Sequence, residues 1–136
     1  MNHLEAIVNI NNLINHSFCD EIIDSYKNFN LKYLSTIEGV NKNERNVLGY
    51  NISSEKDIFN KIKEQIEKSH IYYKAKFPFI ESHKINQIDL LKYEVGGKYG
   101  YHVDTYTDYS RTTSVIINLN NNYKGGDLVF ADQHCN

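Results

Sequence analysis

From Lys84 onward, apolar and polar residues alternate with a period of two, and this limits what the chain can build. Ile88, Leu90 and Lys92 fall on one face, while Ile85, Gln87, Asp89, Leu91 and Tyr93 fall on the other. Successive side chains of an extended strand project to opposite sides, so the run reads as a strand. Gly96-Gly97 ends it with a turn, because glycine accepts a positive φ that a side chain would oppose. Three more strand-like segments follow: Tyr99 to Asp104, Arg111 to Leu119 and Asp127 to Phe130. The polar stretches Thr105 to Ser110 and Asn120 to Gly126 connect them. Short strands joined by turns point to an antiparallel sheet.

The first part of the chain reads differently. Ala6 to Ile10 alternates weakly and suggests a short strand. Phe18, Ile22, Ile23 and Tyr26 then recur at helical spacing, with Ser17 as N-cap and Asp20-Glu21 in a first turn that favours negative charge. Tyr33 to Val40 reads as a loose strand closed by Gly39, and Asn41 to Asn46 as a polar loop. Ser54-Glu55-Lys56-Asp57 resembles a capping box that opens a second helix, reaching about Tyr73. Its inward stripe is Ile58, Ile62 and Ile66, continued by His70 or Tyr73. The expectation is an α+β fold in a single domain, 1–136. Residues 1–83 form a helical support, and 84–136 form the sheet on which it packs.

Composition narrows the function classes. A net charge of −2 with 24% charged residues supplies no basic field for nucleic acid. Cys19 and Cys135 have neither zinc spacing nor a disulfide framework, and they read as two reduced thiols. No apolar run approaches a membrane span and no signal peptide is evident, so a soluble, cytoplasmic protein is expected.

Chemistry enters at His102-Val103-Asp104. On a strand, residues i and i+2 share a face, which places an imidazole beside a carboxylate. That pair supplies two of the three ligands of a 2-His-1-carboxylate iron(II) site. The same two residues also suit an ordinary surface His-Asp pair. The flanking sequence resembles the iron(II)- and 2-oxoglutarate-dependent dioxygenases, in their prolyl 4-hydroxylase-like branch. The resemblance is carried by Leu91-Lys92-Tyr93, Gly96-Gly97, Tyr99-Gly100-Tyr101, His102 and Asp104, Arg111, Ser114 to Asn120, and Gly125-Gly126-Asp127-Leu128-Val129-Phe130.

The resemblance implies a double-stranded β-helix, or jelly roll, with His102 and Asp104 as metal ligands. It gives Tyr93 a hydrogen bond to 2-oxoglutarate, and Asn118 a place on the same co-substrate. Arg111 would contact substrate or brace Asp104, while Tyr101 and Tyr106 would line the substrate side. The implied reaction hydroxylates a C–H with release of succinate and carbon dioxide, and ascorbate helps keep iron reduced. The substrate would be a protein, a peptide or a small molecule, with peptidyl proline leading.

The family pattern also calls for a distal histidine and then an arginine or lysine that grips 2-oxoglutarate. Neither has a position here, and His134 reads as a terminal histidine, not as the third ligand. The expectation is therefore a fragment of a longer reading frame, with the distal strands missing. Its exposed sheet edges would invite oligomerisation. The rival reading is a non-catalytic binding or assembly module that keeps half of the oxygenase fold. A third reading is a metal sensor that binds iron without turnover.

Overall fold

Asn15 closes the start of helix α1 (His16–Tyr26): its side-chain oxygen accepts from the Phe18 amide at 2.9 Å and from the Ser17 hydroxyl at 2.7 Å. The expected cap, Ser17, lies inside the helix, because asparagine two positions earlier reaches the free amide first. In this computed structural model the described residues are 6–80, 84–85, 87–104 and 113–130. Helix α2 (Lys56–Lys76) starts at Glu55 without a side-chain cap. The expected capping box of Ser54 and Asp57 does not form, because the cap falls one residue later, at Glu55, whose carboxylate accepts from the Tyr50 hydroxyl at 2.9 Å. Asp57 in the first turn and Lys74 and Lys76 in the last complement the helix dipole.

The remaining elements are strands β1 (Lys32–Tyr33), β2 (Arg45–Asn46), β3 (Leu48–Asn51), β4 (Asp89–Lys92) and β5 (Lys98–Tyr99). β3 is the centre of an antiparallel sheet in the order β1-β3-β4, and β2 pairs with β5 in a second sheet. The segment expected as a loop, Asn41 to Asn46, thus ends in a strand, and the central strand follows it directly. The loose strand expected over Tyr33 to Val40 shrinks to the end of β1 and a tight Thr36–Gly39 bridge. Ala6 to Ile10 forms no strand.

Registers explain how the two sheets join. Leu48 opposes Lys92, and Asn46 opposes Lys98. One residue, Val47, separates β2 from β3, whereas five residues, Tyr93 to Gly97, separate β4 from β5. The excess length leaves the ladder as a turn closed by the Gly97 amide on the Glu94 carbonyl at 2.7 Å. Gly96 has a φ of +79°, and a Cβ on Gly97 would meet the Glu94 carbonyl oxygen at 2.8 Å and that of Asn46 at 3.1 Å. Only glycine fits this turn without a shift of backbone.

The core sits between the helices and the inner face of the three-stranded sheet. Ile22 and Tyr26 from α1, Ile62 from α2 and Ile52 after β3 are buried together. Phe18, Tyr50, Ile58, Ile66, Ile88, Leu90, Ile117 and Leu119 pack around them. The expected inward stripe Ile58, Ile62 and Ile66 of α2 holds, and of the two faces read for the strand it is that of Ile88 and Leu90 that packs on the core. Because β3 pairs with β4, the sheet is made from both sides of the 83/84 position.

The fold is α+β, with two helices and small antiparallel sheets among the described residues. Strands were also expected over Arg111 to Leu119 and Asp127 to Phe130. Of these, 113–119 and 127–130 are described, and they join no ladder among the described residues. Ile117 and Leu119, two apart, still reach the core, so the alternation is used for packing without strand pairing.

Candidate functional site

Backbone pairing delivers the His-x-Asp segment. Tyr99 opposes Arg45 across β5 and β2, and one residue later the Gly100 amide donates to the Glu44 carbonyl at 2.8 Å. The ladder stops there, so His102 and Asp104 project from irregular chain just past β5, and the expected strand through Asp104 is shorter than its alternation suggests. The two side chains nevertheless come together, with His102 Nε2 3.2 Å from Asp104 Oδ1.

Both partners are held from behind. His102 Nδ1 lies 2.8 Å from the Gly100 carbonyl oxygen. A carbonyl oxygen only accepts, so this contact is a hydrogen bond when Nδ1 carries the proton, and Nε2 then faces the carboxylate with its lone pair. Asp104 Oδ2 accepts from the Ser114 hydroxyl. A lone-pair nitrogen opposite a carboxylate oxygen needs a positive charge between them. A proton would make the pair an imidazolium–carboxylate ion pair, and a metal ion would make it two adjacent ligands.

The donor set fits iron(II). Two ligands about 2.1 Å from a metal and at right angles stand about 3.0 Å apart, close to the observed separation. A backbone carbonyl on Nδ1 and a hydroxyl on the carboxylate are the outer contacts that orient such ligands. The side chains are 38% and 48% exposed, which leaves room for further ligands. Among the described residues, no group of three or more His, Cys, Asp or Glu could hold a metal. His102 and Asp104 are therefore a two-ligand set here, and His134 lies outside the described residues.

The imidazole also stacks on Tyr99, with ring centroids 3.7 Å apart and planes 17° from parallel. The Arg45 guanidinium lies over the same tyrosine ring, 4.5 Å from its centroid, and Arg45 Nη1 donates to the Ser35 carbonyl at 2.9 Å. Tyr93 follows β4 and is half exposed. Partial burial pushes its phenol above the ordinary range and the neighbouring Tyr99 adds to this, while Arg45 opposes it. The group therefore stays a neutral hydroxyl donor at neutral pH.

Tyr101 is 79% exposed, and Asn118 is exposed on the side of its segment opposite Ile117 and Leu119. Neither touches the His-Asp pair through a hydrogen bond described here. Arg111 and Tyr106 lie outside the described residues. Sequence reasoning missed Arg45 and Ser114, the two polar groups that complete this cluster. Ser114 stood at the start of an expected strand, and Arg45 was hidden in what read as a loop. An open groove of about 470 Å³ on the outer face of the three-stranded sheet is lined by Lys32, Leu34, Arg45, Gly49, Asn51 and Asp89, so Arg45 borders both features.

No known protein family, curated protein or solved structure matches this chain. Among the described residues, no helix is long and apolar enough to cross a membrane.

Proposed function

We propose that the chain is an iron(II)- and 2-oxoglutarate-dependent dioxygenase of the prolyl 4-hydroxylase-like type, built on a jelly-roll sheet. The observation that carries this reading is the His102–Asp104 pair: 3.2 Å apart, with Nδ1 held by a carbonyl and Oδ2 by Ser114. Bound iron(II) would supply the oxidative decarboxylation of 2-oxoglutarate to succinate and carbon dioxide that is coupled to C–H hydroxylation. His102 would give Nε2 and Asp104 would give Oδ1 to the ion. Ser114 keeps the carboxylate turned towards the imidazole, and the neutral Tyr93 hydroxyl would donate to a carboxylate of the co-substrate.

A third ligand and a basic anchor for the distal carboxylate are required in addition, because two ligands hold iron(II) weakly. Ascorbate would maintain the reduced metal. Peptidyl proline is the leading substrate, with other protein side chains and small molecules behind it.

One observation favours the second reading, a binding or assembly module. Val115, Ile116, Leu128, Val129 and Phe130 are 47–61% exposed in chain that joins no ladder, an apolar surface suited to a partner. Succinate release separates the two. With iron(II), ascorbate and 2-oxoglutarate, the protein as its reading frame encodes it is expected to form succinate, and His102→Ala and Asp104→Ala are each expected to abolish it. Full turnover in either variant removes the metal assignment, and no turnover in the native protein favours the module.

A further inference from the structure

We infer that Tyr99 is the positioning residue for His102: its ring fixes the plane of the imidazole so that Nε2 faces Asp104. This rests on the metal-centre reading above and adds to it a residue whose work is done by a ring face, not by a hydroxyl.

His102 is more than a third exposed, so close packing does not restrain it. Its hydrogen bond to Gly100 fixes where Nδ1 sits, but a single hydrogen bond leaves the ring free to tilt about that contact. The Tyr99 ring removes this freedom by lying nearly parallel at 3.7 Å. The two rings lie face to face, so a tilt of the imidazole would drive one of its edges into the Tyr99 ring. Tyr99 is itself anchored twice. Its backbone is paired with Arg45 in the β2–β5 ladder, and the Arg45 guanidinium lies over its ring. Arg45 is tied in turn to the Ser35 carbonyl. The imidazole plane is thus referred back to two strands and a loop through groups that never touch the metal position. Hydrogen-bonded partners that orient a metal-binding histidine typically change metal affinity by about 10–100-fold when removed, and the stack is expected to act at the lower end of that range.

Manganese(II), an air-stable stand-in for iron(II), gives a readout independent of turnover, because the free ion has its own electron paramagnetic resonance signal. Titration into the native chain and into His102→Ala, Tyr99→Leu and Tyr99→Phe is expected to give uptake by the native chain and none by His102→Ala. Tyr99→Leu should bind about 10-fold more weakly, and Tyr99→Phe should match the native chain. Without metal, the His102 ring protons should be shifted upfield by the Tyr99 ring current in the native chain and in Tyr99→Phe. They should return towards free-histidine positions in Tyr99→Leu, with far-ultraviolet circular dichroism unchanged. If His102→Ala abolishes uptake while Tyr99→Leu binds within twofold of native, the positioning role is wrong and the metal centre stands. If Tyr99→Phe loses as much as Tyr99→Leu, the hydroxyl acts and the ring-face argument fails. If the native chain takes up no manganese, the metal-centre reading falls and this inference falls with it.

Discussion

Two regions of this molecule are held together by different means. Around Ile22, Tyr26, Ile52 and Ile62, two helices and a sheet bury apolar side chains against one another. Around His102 and Asp104, the contacts are a ladder end, a stack of rings and a few polar hydrogen bonds, all near solvent. Burial dominates stability, and exposed ion pairs contribute little. The first region therefore decides whether the chain folds, while the second can be altered with small effect on folding. Candidate chemistry sits where substitution is structurally cheap.

The sharpest test of that division pairs one substitution from each region. Ile52 is 1% exposed, so Ile52→Ala removes buried methylenes and leaves a cavity, expected to cost roughly 2–5 kcal/mol in urea unfolding. His102→Ala breaks an exposed pair and should cost less than about 1 kcal/mol. A His102→Ala loss equal to that of Ile52→Ala would erase the distinction and make the His-Asp pair a folding element.

The Tyr93–Gly97 turn joins the regions and tests their connection. Gly97→Ala places a Cβ against two carbonyl oxygens that belong to backbone, so relief requires the β4–β5 excursion to move. The expected cost is about 1–3 kcal/mol, less than for Ile52→Ala. The shift should also displace β5 and weaken the Tyr99–His102 stack, visible as a reduced ring-current shift. A loss of stability with an unchanged stack would show the turn to be mechanically separate from the site.

These particulars also show what the sequence made legible. The stripe Ile58, Ile62, Ile66 and the alternation of Ile88 and Leu90 could be read because one packing face repeats at one period. The Gly96-Gly97 turn could be read because a short segment had to reverse in a conformation glycine permits. The central strand β3 was missed although Leu48, Tyr50 and Ile52 alternate, since Asn46 before it and Gly49 and Asn51 within it are turn formers by propensity. Tertiary pairing overrode them. Conversely, 113–120 alternates yet joins no ladder among the described residues, because period-two burial needs only one covered face. In the site, His102 and Asp104 could be named from a local spacing. Arg45 and Ser114 could not, because their contacts join segments remote in sequence.

The smallest effect concerns alkaline pH, where the thiol of the buried region should respond first. Burial pushes the Cys19 thiol up, with a smaller push from Asp20. Burial also raises the Tyr26 phenol, and Tyr50 is raised first by its hydrogen bond to Glu55. Each group holds its proton more tightly in the folded chain than in the unfolded one. Their contribution is therefore complete below the unfolded values, 9.0 for the thiol and 10.0 for the phenols, and is lost as pH rises through the folded values. Urea midpoints should stay level to about pH 9 and then fall. Cys19→Ala lowers stability at every pH but removes the thiol's share of the slope, so its decline should begin later, near the phenol range. If the variant and native curves fall in parallel from pH 9, Cys19 is not the group that responds first. The alkaline sensitivity would then belong to the tyrosines, Tyr93 beside the site among them, and would no longer separate the two regions.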